Sequence, residues 1–351
     1  MNHTAEGNAF MKTRSLFGKK YLSIEERSLD LHIGPMDVLV KVHACGVCGT
    51  DLNFLRDYEE EMMPLGHEIA GIVVEKGALV TNVDIGDFVT VEDCSMCGNC
   101  MDCKSGHPEL CRNMFTLNGT PGMGEYLSVN CGNLNIYSGL DPVHACLTEP
   151  LAVAISAVNK AEIPMNGSVM IFGCGPIGLL TAAVARLNGA AFVGITGRSA
   201  KTPMSKARFA LAEKLGCDRV IATKETDLVS EVKKRFPKGV DRVIVTSPPA
   251  SIPAAFDLIR FGGTITLLGL SFAGDAVIPF DVNRAIFNKT TVNVAFAEPA
   301  INFALATELI KSGKVDASLF QTHTFSFDNA EEFFRQNLEG SIPVIKGVFV
   351  P

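Results

Sequence analysis

The feature that most restricts the fold of this 351-residue chain is a glycine-rich turn between an apolar strand and an apolar helix. The segment "SVMIFGCGPIGLLTAAVARLNGA" places Gly173, Gly175 and Gly178 in a G-x-G-x-x-G pattern that also contains Pro176 and Ile177. Gly173 permits a tight turn, Gly175 lets a pyrophosphate approach the backbone, and Gly178 lets helix and strand pack closely. In this context the turn predicts a βαβ unit that binds a dinucleotide.

Strand-like runs alternate with helical patterns after about residue 165, which predicts a parallel sheet with crossover helices. The predicted strands are "SVMIFG", "AFVGIT", "DRVIA", "DRVIVTS", "GTITLLGL" and "TVNVAF", and the helical patterns include "PMSKARFALAEKLG" and "PAAFDLIRFGG". Earlier runs such as "DVLVKV", "IAGIVVEKG" and "GDFVTV" predict a separate antiparallel, barrel-like domain. The tail from about Glu298 has mixed character again, and we expect it to return to that first domain.

Composition excludes several classes of function. The chain carries 31 Lys and Arg against 38 Asp and Glu, with no basic stripe, which argues against a nucleic-acid partner. No apolar run approaches the ~20 residues of a membrane helix, and the N-terminal segment lacks the apolar core of a signal peptide. We therefore expect a cytoplasmic protein without a membrane partner. There the eleven cysteines should stay reduced, so clustered thiols indicate metal rather than disulfides.

Five cysteines fall within the segment "DCSMCGNCMDCKSGHPELC". Four of them have the spacing C-x2-C-x2-C-x7-C, namely Cys97, Cys100, Cys103 and Cys111. Four thiolates can close a tetrahedral shell around zinc without an open position, which indicates a structural rather than a catalytic metal. Cys94 is an alternative fourth ligand. An iron–sulfur centre is the rival interpretation, although the Cys-x3-Cys-Pro ending of the bacterial ferredoxin run is absent.

The strand after the glycine-rich turn, "AFVGIT", is expected to end where the adenosine ribose of the dinucleotide binds. An Asp or Glu at this end would bind the 2′-hydroxyl of NAD, whereas an Arg would pair with the 2′-phosphate of NADP. Gly197 occupies the acidic position, Arg198 and Ser199 follow it, and Lys201 is close by. The segment favours NADP over NAD, with a solvated basic loop as the alternative.

A second set of metal donors lies outside the cysteine cluster. "HACGVCGTDLNFL" and "PLGHEIAG" supply Cys48, His67 and Glu68, and "LTEPLAVA" supplies Glu149. A thiolate, an imidazole and a carboxylate leave one position for water or substrate, which is the pattern of a catalytic zinc. Alone, His67 could be a structural histidine and Glu149 a helix-start carboxylate. Their order beside the dinucleotide turn is what indicates a site.

The motifs "GVCGTD", "LGHE", "CGNCMDCKSGHPELC", "TEPLAVA", "GCGPIG" and "GGTITLLGL" span nearly the whole chain. In this order they resemble the zinc-dependent medium-chain dehydrogenase/reductase family, in the group of sorbitol, threonine and glucose dehydrogenases. The resemblance implies an α/β fold in which a doubly wound Rossmann sheet is inserted into a GroES-like antiparallel β-barrel catalytic domain. We expect the catalytic domain over 1–160 and 298–351, a structural-zinc lobe over 93–112, and the Rossmann domain over 161–297. The active site would lie in the cleft between the domains.

The resemblance also implies roles for single residues. The family's catalytic cysteine stands directly before Gly-Thr-Asp, which is the position of Cys48. His67 would be the second zinc ligand, and Glu68 the third, unless Glu68 alternates with Glu149 through a water. A Glu at position 149 matches sorbitol-dehydrogenase-like members, whereas many simple alcohol dehydrogenases have Cys there. This favours the polyol branch. Thr50 would pass the alcohol proton onward.

One position departs from the family. Many relatives end the proton relay at a His three residues after the Ser or Thr, but this chain has Asn53, which does not titrate near neutrality. The outer proton path is therefore open to Glu149, the nicotinamide ribose or bound water.

The expected function is a zinc-dependent oxidoreductase that transfers hydride between NADP and a polyol, sugar or other secondary alcohol. An NAD-dependent alcohol or threonine-type dehydrogenase, a carbonyl reductase working in the opposite direction, and a non-catalytic dinucleotide sensor are the alternatives. The expected partners are a small-molecule substrate and a second or further copy of the chain, because "GTITLLGL" followed by "TVNVAF" could pair edge to edge in a homodimer or homotetramer.

Overall fold

The computed structural model describes residues 11–117, 119–271 and 276–351. Strands in the first part of the chain are β1 (Met11–Lys19), β2 (Ser23–Leu31), β3 (Asp37–Gly46), β4 (Met63–Pro64), β5 (Glu68–Lys76), β6 (Phe88–Val91), β7 (Cys94–Ser95), β8 (Phe115–Thr116), β9 (Tyr126–Asn130) and β10 (Leu134–Ile136). Later strands are β11 (Ser168–Phe172), β12 (Phe192–Gly197), β13 (Arg219–Ala222), β14 (Val240–Val245), β15 (Ile259–Leu267), β16 (Thr291–Val294), β17 (Gln321–Phe325) and β18 (Lys346–Phe349).

In the part of the chain that the structure describes, eleven α-helices connect these strands, and most of them lie in the second half of the chain. They are α1 (Gly49–Asn53), α2 (Met101–Lys104), α3 (Pro142–Ala145), α4 (Thr148–Ala161), α5 (Pro176–Leu187), α6 (Pro203–Lys214), α7 (Leu228–Arg235), α8 (Ile252–Leu258), α9 (Val282–Phe287), α10 (Phe303–Lys311) and α11 (Ala330–Glu339). Within the described ranges, none of them combines the length and the hydropathy needed to cross a bilayer.

The first part of the chain is organised around β3. This strand pairs antiparallel with β5 along its length, with β9 near its start and with β18 near its end, within a sheet of order β10-β6-β5-β3-β18-β17. Val38, Val40 and Val42 alternate along β3 and are buried in one core. Since alternate side chains of a strand share one face, the period-two apolar pattern of "DVLVKV" is what directs this face inward.

The C-terminal segment completes this first sheet. β17 and β18 run parallel to each other, and Val348 and Phe349 of β18 pair with Gly46 and Cys45 of β3. The end of the chain, which follows the parallel sheet in sequence, therefore joins the sheet of the first half. The expected limits of the domains remain predictions.

The second half forms a parallel sheet of order β13-β12-β11-β14-β15-β16. Every residue of the central strand β11 is buried, which explains its uninterrupted apolar sequence. The strand order reverses between β11 and β14, and ligands of doubly wound sheets bind at the carboxyl ends of the strands at such a point. All six strands predicted from sequence are present. The Rossmann arrangement is thus confirmed.

One predicted helix is shorter than expected. The helical pattern "PAAFDLIRFGG" ends as α8 at Leu258, because Ile259 already pairs with Val240 and begins β15. The pairing with the neighbouring strand overrides the local helical pattern.

Candidate active site and metal centres

A buried carboxylate fixes the turn that follows β3. Cys48 has an extended backbone and precedes the first residue of α1. One carboxylate oxygen of Asp51 accepts a hydrogen bond from the backbone N–H of Cys48 at 2.8 Å, and the other accepts one from Gly66 at 2.9 Å. Asp51 therefore ties the Cys48 turn to the turn that precedes His67. The signal for it, an acidic residue at the third position of a helix, is present in "GVCGTD".

The residue before His67 has to be glycine. Gly66 has a φ of +85°, and a Cβ added to it would lie 2.6 Å from the sulfur of Cys45 and 2.9 Å from the backbone nitrogen of Met123. β5 starts directly afterwards. The sulfur of Cys48, a ring nitrogen of His67 and a carboxylate oxygen of Glu68 consequently all lie within 4.8 Å of one another.

Negative groups dominate the surroundings of His67. Burial opposes protonation of the imidazole, but the thiol of Cys48 and the carboxylates of Asp51 and Glu149 raise the pKa of His67 well above its usual value. Burial and the nearby Glu68 carboxylate in turn raise the pKa of Glu149 well above the usual range of a carboxyl group. An array of anionic donors around one imidazole has the charge pattern that a divalent cation would neutralise.

A buried lysine from the C-terminal strand neutralises one of these groups. Nζ of Lys346 donates to a carboxylate oxygen of Glu68 at 2.6 Å and to the carbonyl oxygen of Val47 at 2.8 Å. Both charged side chains are almost completely buried. Burial alone would lower the pKa of Lys346, but Glu68, followed by Cys48, raises it. Sequence reasoning missed this residue, since "PVIKGVFVP" gives no sign that its lysine is buried.

The four cysteines predicted as one ligand set lie together. The sulfurs of Cys97, Cys100, Cys103 and Cys111 are all within 4.8 Å of one another. The backbone N–H groups of Cys97 and Cys100 donate to the sulfurs of Cys111 and Cys97, each at 3.4 Å. The sulfurs of Cys97 and Cys111 are 3.6 Å apart, well beyond the ~2.05 Å of a disulfide bond, and all four cysteines are free thiols.

The thiols of this cluster differ in acidity. Backbone N–H groups, that of Asn99 first, lower the pKa of Cys97 to about 7, whereas burial and the neighbouring thiols raise the pKa of Cys103 to about 12. Without a cation, one cysteine of the cluster ionises readily and the ionisation of a second is unfavourable. A bound metal ion would stabilise all four thiolates, and the geometry of the cluster fits such an ion.

Cys94, the alternative fourth ligand, lies apart from that cluster. Its sulfur and the carboxylate oxygens of Asp93 and Glu298 lie within 4.8 Å of one another. Burial and the Asp93 carboxylate raise the pKa of Glu298 to about 7. No motif pointed to Glu298, because its segment reaches Asp93 only through the fold, where the N–H of Ala300 donates to the carbonyl oxygen of Cys94 at 3.0 Å.

The glycine-rich turn has the geometry that its sequence predicts. Gly173 has a φ of +113°, and Gly175 precedes α5, whose first residues are Pro176 and Ile177. A Cβ on Gly178 would lie 2.9 Å from the carbonyl carbon of Gly173, so only glycine lets the helix start this close to the strand. No heavy atom lies within 4 Å of the corresponding position on Gly175, which leaves the backbone there open to a ligand.

The loop after β12 lies beside this turn. Gly197 and Arg198 line both a cavity of about 450 Å³ and a second cavity of about 210 Å³, and Ser199 lines the smaller one. The hydroxyl of Ser199 donates to the carboxylate of Glu225 at 2.7 Å. Sequence reasoning placed no carboxylate near this loop, because Glu225 follows the next strand of the sheet.

Four of the five predicted catalytic residues line a cavity of about 400 Å³ between the two halves of the molecule, whereas Glu68 does not line it. The first half contributes the side chains of Cys48, Thr50, His67 and Glu149. Ile177 and Thr246 contribute from the carboxyl end of the parallel sheet, where a dinucleotide would lie. The oxygen of Thr50 is 3.8 Å from the sulfur of Cys48. Three charged side chains that sequence reasoning did not select also line the cavity, namely Arg56, Asp93 and Glu298.

Two family profiles match the chain. The profile described as "Alcohol dehydrogenase GroES-like domain" matches residues 34–135, and that described as "Zinc-binding dehydrogenase" matches residues 176–312. They confirm the fold class that the motifs implied, a GroES-like part combined with a dinucleotide-binding part.

Individual proteins match along most of their length. The chain is 34% identical to the L-threonine 3-dehydrogenase of Pyrococcus furiosus, over 93% of this chain and 94% of that protein. It is 30% identical to the L-idonate 5-dehydrogenase of Vitis vinifera, over 93% and 91%. A zinc-binding dehydrogenase from Sinorhizobium meliloti, solved with bound NADP, superposes with a TM-score of 0.83 at 29% identity and covers 97% of this chain and 100% of its own. The chain belongs to the zinc-dependent medium-chain dehydrogenase/reductase family, and is an oxidoreductase that acts on CH–OH groups with zinc and a nicotinamide cofactor.

Proposed function

We propose that this protein transfers hydride between NADP and a polyol, sugar or other secondary alcohol. The observation that carries the proposal is the cavity between the two halves, which is lined by Cys48, His67 and Glu149 on one side and by Ile177 of the dinucleotide turn and Thr246 on the other. A dehydrogenase needs a group that polarises the alcohol and a nicotinamide that faces this alcohol, and the lining of the cavity supports both requirements at one site.

Cys48 and His67 are proposed as two of the catalytic zinc ligands, with Glu149 as the third. Glu68 is the rival for the third position, because its carboxylate is within 4.8 Å of the other two donors. However, Lys346 already balances the charge of Glu68. Glu149 lines the cavity, and the largest opposing charge that acts on it is the imidazole of His67. Loss of zinc in Glu149→Ala but not in Glu68→Gln would support this assignment, and the reverse would contradict it.

Zinc at this position would supply a Lewis acid for the alcohol oxygen, and the nicotinamide would accept the hydride. The chain's own residues then have to move a proton. Thr50 is proposed as the first group of that path, because its hydroxyl lines the cavity and can both accept and donate a hydrogen bond. Asn53 lines the same cavity without being able to titrate, so we propose that bound water carries the proton from Thr50 outward.

The four-cysteine cluster is proposed as a structural zinc site. Four sulfurs within bonding reach of one ion fill a tetrahedral shell and leave no position for substrate. Both metal sites require reduced thiols, which supports the predicted cytoplasmic location.

The preference for NADP is supported by the end of β12. Position 197 carries no carboxylate, and Arg198 lines both cavities of the cofactor region. Glu225 opposes this preference to some extent, since it lies beside Ser199. Binding of NADH at least as tight as that of NADPH, or an unchanged NADPH affinity in Arg198→Ala, would contradict the preference.

The charged lining of the cavity supports a hydroxyl-rich substrate. Arg56 offers donors, and Asp93 and Glu298 offer acceptors, so several hydroxyl groups of one molecule can find partners. The relatives named after threonine and idonate act, by their names, on an amino acid and a sugar acid, which also carry several polar groups.

The experiment that tests the function is a panel of polyols, aldoses, sugar acids and threonine, each oxidised with NADP and with NAD. We expect two zinc ions per chain and turnover of at least one polyhydroxy substrate with NADP. Cofactor binding without turnover of any of these alcohols, in either direction, would favour the non-catalytic dinucleotide sensor instead.

A homodimer is proposed from the edge of the parallel sheet. β16 ends that sheet, and its Val292 and Val294 are exposed together with Ile286 and Phe287 of α9. An exposed apolar edge strand pairs readily with a second copy. Light scattering should give twice the chain mass, and Val294→Lys should give a smaller species.

A further inference from the structure

Helix α6 and the glycine-rich turn enclose the cavity of about 210 Å³ at the ribose end of the cofactor region. Gly175 contributes open backbone to it, as described above. The thiol of Cys174 donates to the carbonyl oxygen of Arg208 at 3.5 Å, which holds the turn against α6. Residues of α6 are therefore placed to contact whatever the loop after β12 binds.

The ring of Phe209 fills the space next to Gly197. A Cβ added to Gly197 would overlap this ring, lying 2.8 Å from its Cζ atom. The φ of Gly197 is not in the left-handed region, so close approach rather than backbone conformation requires glycine here. The acidic side chain that would select NAD at this position is excluded by a residue of the next helix.

Arg208, the neighbour of Phe209, lines the same cavity. Its Nε is buried and has no hydrogen-bond partner among the residues that the structure describes. No ion pair joins it to a carboxylate within those ranges, and burial lowers its pKa. The residue as a whole is partly exposed. A guanidinium stays charged in proteins, and a partly buried guanidinium without a partner can gain a charge-assisted hydrogen bond from an anionic ligand.

We propose that α6 selects the cofactor, with Phe209 excluding a carboxylate from position 197 and Arg208 binding the 2′-phosphate of NADP from inside the cavity. This inference rests on the proposed preference for NADP. The proposal adds two residues that determine cofactor specificity. Both lie in α6, about ten positions after Arg198, and belong to no recognised motif. Arg198 would then contact the same 2′-phosphate from the loop after β12.

The first test measures Kd for NADPH and NADH on the zinc-loaded protein by direct excitation of the nicotinamide, which is convenient in a chain without tryptophan. Arg208→Gln should weaken NADPH binding about 10- to 100-fold, as expected for the loss of a charge-assisted hydrogen bond, and leave NADH within about threefold. Lys206→Gln is the matched control, because it removes one positive charge from the exposed face of the same helix without lining the cavity. It should change neither Kd more than about threefold.

The second test restores the acidic residue. Gly197→Asp alone should weaken NADPH binding without improving NADH binding, because Phe209 occupies the required space. The double variant Gly197→Asp/Phe209→Ala should bind NADH about tenfold more tightly than the wild type. An NADH gain of this size in Gly197→Asp alone would overturn the role of Phe209.

The role of Arg208 would be overturned if Arg208→Gln weakened both cofactors equally, since that result would place the guanidinium on the shared pyrophosphate or in a purely structural role. Should that variant not fold, Arg208→Lys keeps the charge but loses the planar fork, and a selective loss for NADPH is again expected. If the wild type bound NADH as tightly as NADPH, the proposed NADP preference itself would fail. The NADP preference is measured on the wild type before any variant is made. Failure of the preference can therefore be distinguished from failure of the role proposed for Arg208.

Discussion

The two cysteine-containing centres of this molecule are built in opposite ways. The four sulfurs of the first come from one short segment, 97–111, and those of Cys97 and Cys111 accept hydrogen bonds from that segment's own backbone. The donors of the second come from the turn after β3, the start of β5 and the start of α4, and Lys346 reaches them from β18. One centre is local in sequence, and the other exists only when most of the chain has folded.

The difference predicts different roles. A local site with four like donors can close around a metal whatever the rest of the chain does, which suits a structural ion. A site assembled from distant elements can leave a position open toward a cavity, and buried charges from its surroundings can orient its ligands. Substitution of a ligand in the four-cysteine centre should therefore lower the stability of the protein. Substitution of a ligand in the second centre should lower its catalytic activity.

The largest expected effect is on turnover in Cys48→Ala. Removing this thiolate should abolish zinc at the second centre and lower kcat at least about a thousand-fold, because a Lewis acid is worth several kcal/mol of transition-state stabilisation. Zinc analysis should fall from two ions to one per chain, while NADPH binding persists. Cys217→Ser, at a cysteine in neither cluster, is the control. Full activity with one zinc would contradict the assignment of this centre.

The next effect concerns the ion pair beneath the second centre. Lys346→Met should destabilise the fold by about 3 kcal/mol, because it leaves the buried carboxylate of Glu68 without its cation. Urea unfolding measures this loss. The double variant Glu68→Gln/Lys346→Met removes both charges and should recover most of the stability. If the double variant were no better than Lys346→Met, packing of the lysine rather than its charge would be what matters.

A smaller effect is expected from Cys103→Ser in the first centre. The lobe can open without unfolding the rest of the chain, so the loss should be about 2 kcal/mol and should appear as early protease cleavage between 93 and 112. The kcat of the folded protein should stay within a few-fold of the wild type. A loss of turnover as large as that of Cys48→Ala would break the division between a structural and a catalytic centre.

The same contrast explains what could be predicted from the sequence. The four-cysteine spacing and the G-x-G-x-x-G turn depend on neighbouring residues, so their sequence already contains their geometry. The six parallel strands were also predictable, because short apolar runs alternate with helical patterns along this part of the chain, and the central strand β11 is buried at every residue. The limit of α8 was not, because the pairing of Ile259 with Val240 is a long-range contact.

The residues that sequence reasoning missed reach their sites through the fold. Lys346, Glu298 and Phe209 have ordinary neighbours in the chain, and nothing in a single sequence separates a buried lysine or glutamate from a solvated one. Their importance follows from what they meet: the carboxylate of Glu68, the carboxylate of Asp93 and the α-carbon of Gly197. Charge and steric complementarity between distant elements carries no periodic pattern.

The smallest expected effect tests whether the two centres are independent. Glu298 lines the catalytic cavity, yet its partners Asp93 and Cys94 stand at the start of the cysteine lobe. Burial, followed by Asp93, raises the pKa of Glu298 from 4.5 to about 7, so between these values the folded protein holds a proton that the unfolded chain releases. Its contribution to stability is therefore complete below pH 4.5 and is lost as the pH rises through 7.

Glu298→Gln should remove this slope and make the protein more stable than the wild type at pH 8, by roughly 1 kcal/mol after allowance for partial solvent screening. Urea unfolding from pH 5 to 8 measures it, with Glu308→Gln on the exposed side of α10 as the control. The Cys103→Ser variant then decides the question of independence. If the lobe holds Asp93 in place, its loss should weaken the wild-type slope, whereas an unchanged slope would mean that the cavity wall stands without the lobe.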